Sequence, residues 1–285
     1  MTGLLPLYHV VMELTQAELD AKIHAYYGSG DEDARLTSRS AGGQVEFMRV
    51  RSVIEDRLPA RSRVLDVGGA TGIHSRWLAD AGHHVSLIDP VPSQVELAAE
   101  VGTFDAVVGD ARSLDVPDHA VDAVLLLGPL YHLADAEDRR LAIHEARRVL
   151  RPGGLLFAQG ISRLVGFVDG AVHGQPADLT SADLDIVRTG AWINPAEGFP
   201  GGHFHTPAEL RAEIEQGGFV DVTVRGLEGP NLGALELMRG DRQVLECAIA
   251  LVEAAEDRVR HSVDLQDKLA AYSPHLLAIG TLPGT

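Results

Sequence analysis

What most constrains this chain is a regular alternation between residues 63 and 160. Short apolar, β-branched runs end on glycine or aspartate, and a helix-spaced stretch follows most of them. Arg63–Val67 reads as a buried strand that ends in glycines, followed by a helix over Ile73–Ala81 that Gly82 stops. His84–Ile88 is a second strand closed by Asp89-Pro90, with a helix over Pro92–Val101. Ala106–Val108 and Val121–Leu127 read as the third and fourth strands. Ala136–Leu150 is a helix with Arg147, Arg148 and Arg151 near its C-terminal end, where positive charge suits the helix dipole. Pro152-Gly153-Gly154 turns the chain into a fifth strand, Leu155–Gln159. Continuous apolar strands joined by helices imply an α/β fold whose parallel sheet is covered on both faces.

Helical periodicity over Leu14–Tyr27 and Val45–Leu58 makes residues 1–60 an N-terminal helical cap, and residues 61–160 carry the alternating core. After Gly160 the rhythm breaks, and residues 161–205, rich in Gly, Pro, His and Asp, read as a lid or substrate insertion. Thr206-Pro207-Ala208-Glu209 opens a helix with a capping box and a first-turn proline, and Gly217-Gly218 ends it. Phe219–Arg225 and His275–Ile279 read as strands, so residues 206–285 return to the core with a helical insertion at about 239–262.

Of the 285 residues, the acidic ones exceed the basic ones to give a formal net charge of −17. That field repels a phosphate backbone and an anionic bilayer, which argues against nucleic-acid and membrane partners. The single cysteine, Cys247, lies in the apolar run Val244–Val252 and reads as a buried helix residue rather than a nucleophile. Met1–Leu14 is apolar without the basic residues of a signal peptide, and no apolar run is long enough to span a bilayer. The expected location is the cytoplasm.

The chemistry concentrates in Val64-Leu65-Asp66-Val67-Gly68-Gly69-Ala70-Thr71-Gly72, where the first strand meets the first helix. Glycines there let a ligand lie against the backbone, and the helix start offers unpaired N–H groups. A dinucleotide fingerprint needs glycine where Ala70 and Ile73 stand, and a phosphate-binding P-loop needs a Lys-Ser/Thr pair where Ile73-His74 stands. Asp89 ends the second strand and Asp110 follows the third. In a parallel sheet these strand ends share one edge with Asp66, and ligands bind in the crevice outside that edge. Asp89 is placed to accept two ribose hydroxyls, and Asp110 to accept from an exocyclic amine of adenine.

Several ordered stretches resemble the class I S-adenosylmethionine-dependent methyltransferases, in particular a bacterial small-molecule subgroup. They are VLDVGGATG, LIDPVPSQVELA, GDARSL, DAVLLLGPLYHL, EARRVLRPGGLLF, HFHTPAELRAEIEQGGF and SPHLLAIG, covering residues 45–160 closely and 203–280 loosely. The resemblance implies a Rossmann-like, doubly wound, seven-stranded, mostly parallel sheet with a helical cap and lid insertions, and S-adenosyl-L-methionine as cofactor. It implies that Asp66, Gly68, Gly69 and Gly72 wall the methionine part and that Asp89, with Pro90, binds the ribose. Asp110 and Ala111 would contact the adenine, and Leu127 and Gly128 would lie beside the sulfonium. Ala70 departs from the family's frequent glycine.

Tyr131-His132 follows the fourth strand at the expected mouth of the acceptor cavity, with His132 as general base or acceptor contact. The bland alternative is that both pack under the lid. His203-Phe204-His205 offers two histidines on one side of an extended segment; with no third ligand identifiable from spacing, no metal is assigned, and His205 is taken as an acceptor contact. In the resembling family the N-terminal region folds over the site, so Tyr27 or Arg49 is placed to bind the cofactor's carboxylate, against the alternative of a packed Tyr and a surface Arg. Trp192, Phe199 and Phe204 form either an aromatic wall for an apolar acceptor or the lid's own small core. The resulting expectation is methyl transfer to a small-molecule acceptor such as a natural product, at oxygen, nitrogen or carbon, by a monomer or homodimer. An NAD(P)-dependent oxidoreductase and a cofactor-binding protein without methyl transfer are the alternatives.

Overall fold

The computed structural model describes residues 15–28, 32–165, 181–193, 199–230, 235–236 and 241–284. The expected features in Met1–Leu14, and parts of the 161–205 segment, lie outside the described residues. Helix α1 (Gln16–Tyr27) starts on a capping box in which Thr15 and Glu18 satisfy each other's backbone N–H groups. A short helical turn, Glu32–Ala34, and a wide turn, Arg35–Arg39, lead into α2 (Ala41–Arg57). Ser40 caps α2 by accepting from Gly43 N–H, and the Glu236 carboxylate takes Ala41 N–H at 3.2 Å and Gly42 N–H at 2.8 Å. An anion on those exposed donors offsets the positive end of the helix.

Seven strands form the main sheet: β1 (Arg63–Val67), β2 (His84–Asp89), β3 (Asp105–Val108), β4 (Val121–Leu126), β5 (Leu150–Ile161), β8 (Val220–Gly226) and β9 (His275–Thr281). Their order is β3-β2-β1-β4-β5-β9-β8, with β9 antiparallel to both neighbours and the rest parallel. The Rossmann-like expectation is met, and β5 starts five residues before the expected Leu155 because Leu150 pairs with Val121 across a bulge. The connecting helices are α3 (Ile73–Asp80), α4 (Pro92–Glu100), the single turn α5 (Pro129–His132) and α6 (Ala136–Val149). Helix α7 (Ser181–Thr189) and the small hairpin β6 (Ala191–Ile193) and β7 (Gly201–His203) follow. Helices α8 (Pro207–Gln216), α9 (Arg242–Val259) and α10 (Val263–Ala270) complete the fold. As expected, α8 opens on the Thr206–Glu209 capping box with Pro207 in its first turn.

Side chains alternate across the sheet, as a doubly covered sheet requires. Leu65, Val124, Leu126 and Leu156 pack on Ile143 and Ala146 of α6 and Leu210 and Ile214 of α8. Val64, Leu125 and Phe157 pack on Val53 and Ile54 of α2 and Trp77 and Leu78 of α3. Both layers leave the C-terminal ends of β1, β2, β4 and β5 open to one edge, which is where α1 and the turn 32–39 lie. Cys247 differs from its expected burial: it sits on the outer face of α9 and is exposed. Among the described residues no helix is long and apolar enough to cross a membrane.

Candidate active site

The chain reverses between β1 and α3 in a tight turn whose conformation depends on residues 68, 70 and 72. Gly68 and Gly72 have φ of +73° and +83°, and Ala70 takes +49°, a left-handed conformation that costs a non-glycine residue about 1–2 kcal/mol. The cost is offset by a hydrogen bond: the Ala70 N–H points at Asp89 and donates to Oδ2 at 2.9 Å. Val91 N–H donates to the other oxygen, Oδ1, at 2.9 Å. Asp89 is 5% exposed, and burial raises its carboxyl above the ordinary range. Each oxygen takes one backbone donor, and an ionised carboxylate accepts about four bonds, so the group keeps capacity for a pair of hydroxyls.

Asp66 lies beneath the turn, fully buried, accepting from Ser75 Oγ at 2.7 Å; burial pushes it up to about 6. A Cβ on Gly69 would stand 2.8 Å from that carboxyl group and 2.7 Å from Leu87 Cδ1, so glycine is required there by space. Asp110 sits at the rim, where Arg112 Nε spans its oxygens at 2.9 and 3.0 Å. The same guanidinium reaches Asp138 at 2.9 Å and Asp20 of α1 at 3.1 Å.

Helix α1 forms the opposite wall. Gln16 bonds the His132 carbonyl at 3.2 Å and takes Ala134 N–H at 3.0 Å, and Gln94 Nε2 donates to the Tyr27 carbonyl. His132 Nδ1 lies 3.2 Å from the Gly201 carbonyl and Nε2 lies 2.8 Å from Tyr27 Oη. A carbonyl only accepts, so Nδ1 carries the proton and the Nε2 lone pair receives the phenol O–H. Burial pushes His132 down to about 4, which keeps the imidazole neutral at neutral pH.

At the β5 end the wall is charged. Arg35 donates to Glu46 Oε2 at 2.7 Å and Gln159 Nε2 donates to Oε1 at 2.7 Å. Burial works to raise the Glu46 pKa, yet Arg35 and His275 outweigh it and hold the carboxyl at about 2. His74, in the first turn of α3, accepts from Trp77 Nε1 at 3.3 Å through Nδ1, and burial pushes it down to about 4.

Together these groups enclose a cavity of about 200 Å³. Asp66, Gly68, Gly69, Asp89, Pro90, Asp110, Ala111, Leu127, Tyr27, Tyr131 and His132 all line it, so sequence-identified residues from α1, α5 and the C-terminal ends of β1, β2, β3 and β4 meet. Three do not. Gly72 turns its α-carbon toward Phe104, where a Cβ would stand 2.4 Å from the ring, and acts as the N-cap of α3 behind the cavity. Arg49 lies on the face of α2 turned to α9, 1% exposed, bonded to the Leu227 and Gly226 carbonyls and to Glu253 and Glu256. His205 is wholly buried against α8, with Nε2 3.2 Å from Glu213 and its backbone bridging β5, and so is no acceptor contact.

Glu213 is also the third group that spacing did not reveal beside His203 and His205. It is bound at the same time by Arg139, at 2.9 Å. Phe204 packs with Ile161 and Ile186, against Trp192 and Phe199, which is the lid-core alternative; Phe199 stands 5.2 Å from the His132 ring. Sequence reasoning passed over Arg35, Glu46, His74, Gln94 and Gln159, all of which line the cavity. Glu46 carried a signal, since it interrupts the apolar stripe of α2 at a position where Val45, Val50 and Val53 are buried.

A methyltransferase-domain family model matches residues 65–158. An uncharacterized methyltransferase of Mycobacterium bovis is 37% identical over 129 residues, which are 44% of this chain and 51% of that relative. The chain thus spans about half the length of that curated relative. A ubiquinone/menaquinone biosynthesis C-methyltransferase of Methylobacterium nodulans is 30% identical over 191 residues, 60% of this chain and 72% of the relative. The crystal structure of a SAM-dependent methyltransferase of Methanosarcina mazei superimposes with a TM-score of 0.54 at 18% identity, covering 82% of this chain and 98% of that one.

Proposed function

Since the chain belongs to the class I S-adenosylmethionine-dependent methyltransferases, we propose that it transfers a methyl group from that cofactor to a small-molecule acceptor whose reacting atom carries a proton. The observation that carries the reading is the convergence of Asp66, Asp89 and Asp110 with the Gly68–Ala70 turn on one cavity. The donor set suits an adenosyl sulfonium. Asp89, fixed from behind by two backbone N–H groups, is the acceptor for ribose hydroxyls, and Asp110 with Ala111 lies one strand further out for the adenine edge. The wall holds Asp20, Asp33, Glu46, Asp66, Asp89 and Asp110, a field that favours a cation.

When bound, S-adenosylmethionine supplies an electrophilic methyl on positively charged sulfur. The chain's own residues align, exclude water and take a proton. Leu127, Gly128 and Pro129 line the cavity at the end of β4 and residues of α1 line it as well, so a bound donor and acceptor would be brought together there and shielded from bulk water. Tyr131 and His132 line it too. The Gly201 carbonyl fixes the imidazole tautomer, and the Nε2 lone pair now occupied by the Tyr27 hydroxyl is the one that takes the acceptor's proton. An acceptor O–H or N–H placed where the phenol hydroxyl lies would make the same bond. The C-methyltransferase relative supports methyl transfer as the reaction, and the phenol–imidazole pair supports a protic acceptor.

Calorimetry tests the cofactor assignment. S-adenosylhomocysteine should bind with a micromolar Kd or better and NAD(P) should give no heat; uptake of NAD(P) in preference would replace this reading with the oxidoreductase one.

A further inference from the structure

Arg112 lines the cavity beside Ala111, and the proposed chemistry does not use it. Its place is set by a local turn. Ser113 N–H donates to the Asp110 carbonyl at 3.0 Å and Arg112 N–H donates to Asp110 Oδ1 at 2.8 Å, so the aspartate closes the turn with its own side chain. The guanidinium then folds back onto the same carboxylate through Nε and one terminal nitrogen. Burial works to raise the Asp110 pKa, yet these bonds outweigh it and hold the carboxyl below its ordinary range. Among the described residues three N–H groups reach the Asp110 carboxylate, all from Arg112. A carboxylate accepts about four, so room for about one more donor remains. Asp89, by contrast, holds two donors and keeps room for a pair. A single donor is what an exocyclic amine presents, whereas an oxo group in the same place would set lone pair against lone pair.

The other edge of the guanidinium takes Asp138 of α6 at 2.9 Å and Asp20 of α1 at 3.1 Å. Asp20 accepts in turn from Gln16 Nε2 at 2.8 Å, and the same amide group donates to the His132 carbonyl at 3.2 Å while Gln16 Oε1 accepts Ala134 N–H at 3.0 Å. A continuous row of polar contacts therefore runs Asp110, Arg112, Asp20, Gln16, His132, from the adenine rim to the turn that carries the imidazole. The apolar part of α1's seat is small, Leu19 and Ile23 against Val91 with Tyr27 and Ala134 beside them, so its docking leans on these polar contacts. Asp20 and Tyr27 stand about 10 Å apart along α1 at 1.5 Å per residue, so one helix spans both ends of the cavity.

We propose that Arg112 is a positioning residue that fits the adenine amine to Asp110 and links that contact to the seating of α1. The proposal rests on the cofactor reading above, and the ligand pair that tests it keeps the two apart. S-inosylhomocysteine differs from S-adenosylhomocysteine at the purine edge, where an oxo group and a ring N–H replace the amine and a bare ring nitrogen. Titration calorimetry gives the affinity of each, and hydrogen exchange read by mass spectrometry gives the protection of the α1 amides. Wild type should bind S-adenosylhomocysteine about 10–100-fold more tightly, the scale of a hydrogen bond to a charged group, and should protect α1 more strongly with that ligand. Arg112→Gln should cut the preference to below about threefold, leave S-inosylhomocysteine within about threefold of its wild-type Kd, and abolish the difference in α1 protection. The retained S-inosylhomocysteine affinity is the internal check on folding. Asp20→Asn keeps the Asp110–Arg112 pair; it should speed α1 exchange in the free protein and abolish the difference in protection, yet keep a preference of at least about threefold. Equal affinities in the wild type, an unchanged preference in Arg112→Gln, or a parallel loss of both ligands there overturns the fit to the amine. Equal α1 protection by both ligands in the wild type, or a difference that survives Asp20→Asn, overturns the link. If neither ligand binds the wild type, the cofactor reading itself falls, and this proposal with it.

Discussion

Replacing Arg49 by methionine separates stability from ligand binding at a residue where sequence and structure disagree. The substitution keeps most of the buried stem and removes the guanidinium. What is lost can be read from its partners. The bonds to the Leu227 and Gly226 carbonyls are long, at 3.3 and 3.4 Å, and are worth about 1 kcal/mol each at most. The ion pair with Glu256 is short, 2.6 Å, and that carboxylate is 20% exposed, so leaving it unpaired is costly. The pair with Glu253, 50% exposed, is heavily screened and contributes little. The expected loss is about 3 kcal/mol, which for a chain of this size lowers Tm by roughly 6–12 °C. The assay is urea and thermal unfolding together with calorimetry for S-adenosylhomocysteine, whose Kd should stay within about twofold of wild type. A variant of wild-type stability that no longer binds the cofactor would refute the reasoning and return Arg49 to the site.

His132→Asn should lower kcat on the true acceptor by about 10²–10⁴ while leaving cofactor affinity unchanged; retention of full kcat would remove the base. Because burial holds His132 at about 4, kcat/KM should show no acid limb near 6.5 and should fall only near pH 4; a limb at 6.5 would contradict the buried, neutral imidazole. His74, His132 and His203, held at about 4, 4 and 3 against an ordinary 6.5, bind fewer protons folded than unfolded. Their contribution to stability is therefore full above pH 6.5 and declines as pH falls toward 4, opposed in part by Asp66, raised to about 6; unfolding free energies at pH 7.5 and 5.0 check this, and equal values would count against it. Gly69→Ala places a methyl 2.8 Å from the Asp66 carboxyl and should cost about 2 kcal/mol and at least tenfold in cofactor affinity, read by unfolding and calorimetry.

The sheet and its cavity edge were legible because their signals are local. Glycine-terminated apolar runs mark parallel strands, and acids at successive strand ends must share an edge, so Asp66, Asp89 and Asp110 could be brought together from spacing alone. Side-chain direction on a helix was less legible. Arg49 and Glu46 stand one turn apart on neighbouring sides of α2, so helical spacing could not tell that one reaches the α9 carboxylates and the other Gln159 at the cavity; long side chains and the packed neighbours decide the partner. His205 was misplaced for a similar reason: α8 folds back over it and brings in Glu213, eight residues on. Tyr27 and His132 meet across more than a hundred residues, a pairing that only the path of α1 over the β4 edge creates. Arg35 and His275 share Glu46 as a partner only because β9 comes to lie beside α2, so of the three only Glu46, an acid in a buried apolar stripe, left a local signal.

The crystal structure of the complex with S-adenosylhomocysteine would test the account most directly. The ribose hydroxyls should rest on Asp89, the adenine beside Asp110 and Ala111, and the sulfur against Leu127 and Gly128, within a methyl's reach of the space below His132. A nucleoside bound elsewhere, or ribose hydroxyls turned away from Asp89, would contradict it.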